Sequence, residues 1–252
     1  MTFSKHLIQS VGSSSSSDDL TLDKPDNWKI LSIFSRLLNQ SIYVADFRRG
    51  EFLYVSDHPL FLCGHSAEEV KEMGFSYYEK IILEKDMPIV MAINETGFRF
   101  FNEKPAKEWK DNVFLSLDFR IKQPGGKNIM VTQRLVPLEL TNDYRMAIAL
   151  CFVIRSYASQ PGNAVIQNLD EPVQYRYNPN THRFDLKDNN LLTSRETEVL
   201  FLSTKGDTNS EIAEKLKLSL STIKQHKGNI FRKLGVNNTS EAVFYAITNR
   251  LV

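Results

Sequence analysis

Apolar residues recur along this chain with two different spacings, and the spacing changes near residue 190. Val113, Leu115, Leu117, Phe119 and Ile121 alternate with more polar neighbours, the period of a strand with one buried face. Gln123-Pro124-Gly125-Gly126 then turns the chain into a second extended run, Ile129 to Leu140, and Asn142-Asp143 into a third, Met146 to Ile154. Ahead of these, Ser41 to Asp46 and Phe52 to Ser56 are short apolar strands about the turn residues Arg49-Gly50. Helical pieces follow from Pro59 to about Phe101, one of them started by Ser66 with Glu69. Two strands, helices and three antiparallel strands predict one mixed domain over residues 31–156.

Beyond residue 190 the spacing is helical throughout. Three pairs, Thr193 with Glu196, Thr208 with Glu211 and Asn238 with Glu241, set a small polar residue three positions before a glutamate. In that spacing each side chain satisfies the other's orphan backbone donor, so each pair predicts a helix start. Ser219 can cap a further helix alone. The four helices so defined carry apolar stripes at Val199/Leu200, Ile212/Leu216, Ile223/Ile230 and Val243/Ile247. On the third, Ile223, Ile230 and Leu234 share one side while Ser221, Lys224, Gln225, Gly228 and Arg232 share the other. Lys224, Lys227, Arg232 and Lys233 crowd this helix without a carboxylate among them, which favours phosphate.

Three segments carry a family resemblance: Leu192-Thr193-Ser194-Arg195-Glu196-Thr197-Glu198-Val199-Leu200, Asn209-Ser210-Glu211-Ile212-Ala213, and Thr222-Ile223-Lys224-Gln225-His226 with Asn229-Ile230. In order and spacing they resemble the C-terminal domain of LuxR-type bacterial transcription regulators. The resemblance implies a four-helix helix-turn-helix domain over 191–252 whose third helix enters the major groove. Lys224, Gln225 and Gly228 would then face base edges. Thr208, Asn209, Ser221, Thr222, His226, Lys227, Asn229, Arg232 and Lys233 would hold phosphates or the helix frame. Two positions depart from the family pattern: Ser210 stands where a cation is usual, and Gly228 sits outward in the reading helix. Gly228 either lets the backbone approach the groove or leaves one base position unread. A homodimer is expected, paired through Val243, Phe244 and Ile247 or through the N-terminal domain, with double-stranded DNA and RNA polymerase as partners.

The mixed domain is similar to the PAS family, on its element order and on Tyr54-Val55-Ser56, Leu62-Cys63-Gly64-His65-Ser66-Ala67-Glu68-Glu69 and Glu84-Lys85-Asp86-Met87-Pro88. That resemblance implies a five-stranded sheet around a small cavity, and two uses stay open, an unidentified small-molecule ligand or a protein contact. No cofactor is expected: Cys63 lacks the neighbours of a flavin-reactive cysteine, and Gly74 to Phe101 offers no histidine for haem. His58, Cys63 and His65 do not form a standard ligand spacing, so no metal is expected. The fold class is thus α+β, an N-terminal PAS-like antiparallel sheet with helices joined to an all-α C-terminal domain.

Composition adds limits to this picture. The 252 residues are 42% hydrophobic and 24% charged, ordinary for a globular chain. Residues 192–252 hold nine Lys/Arg against six Asp/Glu, whereas the preceding residues hold twenty-two against twenty-four, so the basic excess sits in the helical domain. Cys63 and Cys151 stand far apart in apolar settings, which predicts reduced thiols. The longest apolar run, Met146 to Ile154, is half a membrane span, and a cytoplasmic protein without membrane attachment is expected. The serine run Ser13 to Asp19 is too polar to bury, and residues 1–30 are expected to be an extended or disordered lead-in. Residues 157–190, with Ser159-Gln160-Pro161-Gly162 and a hairpin-like piece about Asn178-Pro179-Asn180, are expected to form a linker. Without a phosphate loop, a nucleophile constellation or a metal cluster in the sequence, an enzyme is not expected. A sigma-factor-like subunit would need a long helical region that residues 1–191 lack.

Overall fold

The computed structural model describes Lys5, Ile8 and residues 25–103, 113–141, 145–169, 173–187, 192–248 and 251, the side chains of 25–27, 187 and 248 excepted. The serine run Ser13 to Asp19 and the turn at Asn142-Asp143 lie outside the described residues. The chain divides into two compact units. One comprises Met1–Ser156 with Pro161–Lys187, the other Tyr157–Gln160 with Asp188–Val252.

The first unit is an antiparallel sheet with helices. Its elements run α1 (Pro25–Leu38), β1 (Ser41–Asp46), β2 (Glu51–Val55), α2 (Pro59–Leu62), α3 (Ala67–Met73), α4 (Ser76–Ile81), α5 (Met87–Glu103), β3 (Val113–Lys122), β4 (Asn128–Leu140) and β5 (Met146–Arg155). Three more strands follow, β6 (Ala164–Asn168), β7 (Gln174–Asn178) and β8 (Arg183–Lys187). The eight strands are ordered β2-β1-β5-β4-β3-β6-β7-β8, and every neighbouring pair is antiparallel. The first five, with α2 to α5 inserted between β2 and β3, form the PAS-like sheet that the sequence order implied.

Two expectations about its borders need correction. Residues 161–187 are not a linker: β6 pairs with β3, from Val113 opposite Asn168 to Leu117 opposite Ala164, and β7 and β8 extend the sheet from there. An uncovered β3 would present a row of unpaired backbone groups, and β6 closes it while burying Ala164 and Ile166. Tyr175 and Phe184 in turn pack edge-on to Phe100 of α5. The domain also begins before residue 31, since α1 opens at Pro25. Trp28 and Leu31 pack on the outer side of the sheet with Val44, Leu53, Tyr54, Ala147, Ile148 and Leu150, and Trp28 stacks on Tyr54 at 5.6 Å. Asn39, in the left-handed region at φ 51°, ends this helix.

Aromatic rings fill the space between the sheet and α2 to α5. Tyr43 stacks on Phe61 at 4.3 Å, and Phe52, Phe75, Tyr77 and Tyr78 close around them. Offset and edge-to-face contacts of this kind add roughly 0.5–1.5 kcal/mol each beyond the area buried. The hydroxyls are satisfied: Tyr78 donates to Tyr43 at 2.8 Å and Tyr77 to the Phe61 carbonyl at 2.7 Å. Two carboxylates tie the strands to their surroundings. Asp86, just ahead of α5, takes a forked ion pair from Arg120 of β3. Asp118 accepts from Thr132 of β4, from Ser156 at 3.0 Å and from Asn163 at 2.8 Å, so it anchors the chain on both sides of residues 157–160. Burial pushes the Asp118 carboxyl above its ordinary range, and those three donors hold the rise back.

The second unit holds four helices, α6 (Ser194–Thr204), α7 (Asn209–Leu216), α8 (Leu220–Leu234) and α9 (Thr239–Thr248). Thr193 with Glu196 and Thr208 with Glu211 form reciprocal caps. Ser219 accepts from the Thr222 amide at 3.1 Å, and Asn238 accepts from the Glu241 amide at 2.9 Å. Gly235, at φ 70°, closes α8 in the left-handed conformation that glycine adopts without penalty. The core is Leu192, Val199, Leu200, Ile212, Ile223, Ile230, Leu234, Val236 and Ala246, one stripe from each helix and its flanks.

Candidate nucleic-acid interface

Helix α8 owes its orientation to three residues. Ile223, Ile230 and Leu234 are 0%, 1% and 5% exposed, so the helix cannot rotate without leaving the core. The opposite side is thereby fixed outward, and Ser221, Lys224, Gln225, Gly228 and Arg232 are all exposed. Among the described residues none of Lys224, Lys227 and Arg232 is paired with a carboxylate. Uncompensated cations on one outward helical face attract phosphate, and the polar tips between them can reach base edges.

Of the nine residues expected to touch the backbone, all but Lys233 fall into three groups. Thr208 and Asn209 start α7, where Thr208 is committed to its cap: its amide and hydroxyl both donate to Glu211 at 2.7 Å. Ser221 and Thr222 share the first turn of α8 with the Ser219 hydroxyl, each at 2.7 Å from it. Exposed N-terminal amides of α8 add the positive end of the helix dipole there. His226, Lys227 and Asn229 are half-buried along the flank, and burial lowers the Lys227 ammonium from its ordinary value. Asn229 accepts from Arg232 at 2.9 Å, which holds that guanidinium along the helix.

Lys233 is placed differently. Its ammonium lies 2.6 Å from Glu196, a side chain that is nearly inaccessible and also accepts from the Thr193 amide at 2.7 Å. Burial alone would raise the Glu196 carboxyl, but the bonds from Lys233 and Thr193 outweigh it and hold the carboxyl below its ordinary value. Lys233 thus ties α8 to the start of α6 and belongs to the frame that aims the face. Nothing in the local sequence flagged this partnership, because the two residues are thirty-seven positions apart.

The residues considered for pairing lie on α9. Val243 is half-buried against the core, Phe244 is 39% exposed and Ile247 60% exposed. Phe244 meets the ring of Tyr157 edge-on at 4.8 Å, and the Ser159 amide donates to the Gly235 carbonyl at 3.3 Å. Tyr157–Gln160, expected to be part of a linker, belong to this unit. Neither that contact nor the α1 surface was anticipated, although Trp28, Leu31, Phe34 and Leu38 already stood at helical spacing.

The histidines and cysteines considered for metal are engaged elsewhere. His58 caps α2, with Nδ1 2.8 Å from the Ser41 hydroxyl, and the Gln123 amide lies 3.2 Å from Cys63 Sγ. His65 packs edge-on to Tyr77. Among the described residues no three His, Cys, Asp or Glu side chains converge as a metal site.

Residues 190–246 match the family model described as bacterial regulatory proteins, luxR family. Residues 190–246 are thus a luxR-family domain. The chain is 46% identical over 61 residues to the transcriptional regulatory protein LiaR of Bacillus subtilis, covering 24% of this chain and 29% of LiaR. The chain therefore spans less than a third of the length of that curated relative. Among solved structures, that of the transcription factor GerE is 33% identical, covers 24% of this chain and 90% of GerE, and gives a TM-score of 0.23. A complex of Vibrio cholera VqmA with ligand and DNA aligns with 88% of this chain and 86% of its own at 17% identity, with a TM-score of 0.34. Among the described residues no helix is long and apolar enough to cross a membrane.

Proposed function

We propose that the protein is a sequence-specific DNA-binding transcriptional regulator that inserts α8 into the major groove, acts in the cytoplasm together with RNA polymerase, and binds as a homodimer. One observation supports this reading above the others: Ile223, Ile230 and Leu234 lock α8 into the core, so that Lys224 and Gln225 stand outward on a face of uncompensated cations. In the assignment we favour, Lys224 and Gln225 read base edges. Ser221, Thr222, His226, Lys227, Asn229 and Arg232 hold phosphates, with Thr208 and Asn209 beside them at the start of α7. Gly228 leaves room at the centre of the face. Lys233 acts through the frame.

The PAS-like unit is the site of regulation in this reading. Its interior is filled with rings, whereas a polar cleft of about 400 Å³ opens outside that core between α1 and the start of α2. Ser32, Arg36, Asn39, Asp57 and His58 line the cleft and offer donors and acceptors of both charges, which suits a small polar ligand. A protein contact is the second reading, favoured by the apolar side chains on the free face of α1.

The test is selection of binding sites from random duplexes, followed by fluorescence anisotropy. Bound sites should carry two related half-sites. If a dimer neutralises about six phosphates, log affinity should fall with log salt at a slope near −5. Lys224→Ala should weaken the preferred base at one position by about 1–3 kcal/mol without changing the others. An unchanged affinity and preference for Lys224→Ala would overturn the assignment, and retention of no duplex at low salt would overturn the function.

A further inference from the structure

Helix α1 carries three stripes. Trp28 and Leu31 are covered by the sheet, and Ile30, Ile33, Phe34, Leu37 and Leu38 form an exposed apolar row. On the flank between them Ser32, Ser35, Arg36 and Asn39 fall at i, i+3, i+4 and i+7, a polar stripe that runs past the end of the helix. All four line the cleft described above and face Ser56, Asp57 and His58, which follow β2. Most polar atoms there are already committed. Ser35 donates to the Gln40 carbonyl at 2.6 Å, and Ser56 accepts from the Ile42 amide at 2.9 Å. His58 Nδ1 accepts from the Leu60 amide at 3.3 Å, which leaves the ring proton on Nε2, 3.2 Å from Asn39 Oδ1. Burial lowers the His58 imidazole below its ordinary value, so the ring adds no charge at neutral pH. These bonds hold the walls in place.

Arg36 and Asp57 differ from the rest. Both are exposed, neither forms an ion pair among the described residues, and they enter the cleft from separate elements. The Tyr54 phenol feels both: burial raises it, the bond to Ser32 lowers it, and then Asp57 raises and Arg36 lowers it. Single exposed charges are ordinary on a surface, whereas two of opposite sign in one cleft of about 400 Å³ select among ligands. An anion alone would be repelled by Asp57 and a cation alone by Arg36. A neutral molecule would use neither charge.

We infer that the cleft binds a small zwitterion, a free amino acid or a dipeptide, with its carboxylate on Arg36 and its ammonium on Asp57. The inference rests on the reading of this cleft as the place where a small polar ligand binds. A guanidinium takes a carboxylate through two parallel bonds, and a carboxylate accepts readily from an ammonium. Asn39 keeps its amide N–H groups for the ligand, since its Oδ1 is taken by His58. The volume lies at the lower end of the range for small-molecule sites, which fits a ligand of this size. The interior of the sheet offers no comparable chemistry, being filled with rings whose hydroxyls are bonded to one another or to the backbone.

Calorimetric titration of the full chain without DNA tests this, with the standard L-amino acids and their glycyl dipeptides as two panels. Members of one panel should bind at one site per chain, and the panel that binds gives the length of the ligand. For a binder, N-acetylation removes the ammonium and amidation removes the carboxylate, and each should weaken binding about tenfold or more. Arg36→Met should weaken binding of the free ligand and abolish the penalty of amidation alone. Asp57→Asn should abolish the penalty of acetylation alone. A merely structural loss would not depend on which end of the ligand is blocked. Both variants should keep the far-ultraviolet spectrum and the duplex affinity of the natural protein. Lys224→Ala should bind the ligand as the natural protein does while losing base preference, so failure of the cleft and failure of DNA reading appear in different variants. Binding by neither panel, equal binding of free and blocked forms, or unchanged binding by both cleft variants would overturn the inference. A bound zwitterion that leaves duplex affinity unmoved would keep the site and overturn only its regulatory role.

Discussion

The two units are held together in opposite ways. The first depends on pairings between residues far apart in sequence, such as Ser41 with Val153 and Leu115 with Ile166, and on a cluster of rings drawn from β1, β2 and α2 to α4. The second depends on four short helices, each stopped and started by local caps, with one apolar stripe from each meeting in a small core. Short helices in water are marginal alone, so the second unit is a local code made stable by a few contacts. The first is a long-range arrangement in which local signals matter less. The difference explains why the outward face of α8 can be traced to single residues and the architecture of the first unit cannot.

Removing one core contact should break the second unit without touching the first. Ile223 is fully buried, and Ile223→Ala should cost about 2–5 kcal/mol, enough to melt the helical unit at ordinary temperature. Calorimetry should then show the transition of the PAS-like unit unchanged and that of the helical unit lost. A single shared shift of both would mean that the two units do not fold separately.

The frame ion pair offers a smaller perturbation. Lys233→Ala strands the buried Glu196 carboxylate and should cost about 1–3 kcal/mol. It should also change how stability depends on pH. The Glu196 carboxyl is held below its ordinary value, so its contribution is present above the unfolded carboxylate range and is lost as pH falls through the depressed folded value. Melting of the helical unit followed from neutral pH down into the acid range should decline in the natural protein and decline less in Lys233→Ala. Equal slopes would remove Lys233 from the frame and return it to the phosphate-contacting set.

The smallest expected effect is the most informative about the reading face. A methyl group added at Gly228 meets nothing within 4 Å, so Gly228→Ala should stabilise α8 by up to about 1 kcal/mol. Unchanged DNA affinity would mean that Gly228 leaves a base position unread. A tenfold or greater loss of affinity in a more stable protein would mean that the backbone approaches the groove there.

Much of the helical unit was legible in the sequence because its determinants are local. Thr193 with Glu196 and Thr208 with Glu211 are three residues apart, and the Ile223/Ile230/Leu234 stripe lies within one helix, so periodicity alone separates its buried side from its outward one. The Glu196–Lys233 pair was not legible, since it joins two helices whose approach is set by packing. In the PAS-like unit the alternation at Val113 to Ile121 announced a strand, but not that β6 would close its edge. Ala164 and Ile166 alternate as well, yet three or four apolar positions are too few to separate a strand from a connector. The stripe on α1 was present in the sequence but was divided between the expected lead-in, which ended at Ile30, and the mixed domain, which began at Leu31, so no single helix was read across that border.

By itself the sequence determined where helices begin, which side of α8 is polar, and where the positive charge collects, because caps, periodicity and charge act over a few residues. Only the tertiary structure decided that Lys233 serves the frame, that residues 161–187 complete a sheet, and that α1 keeps an apolar face free after the other is covered. Each of these depends on which distant surfaces meet, and that is set by packing the whole chain at once.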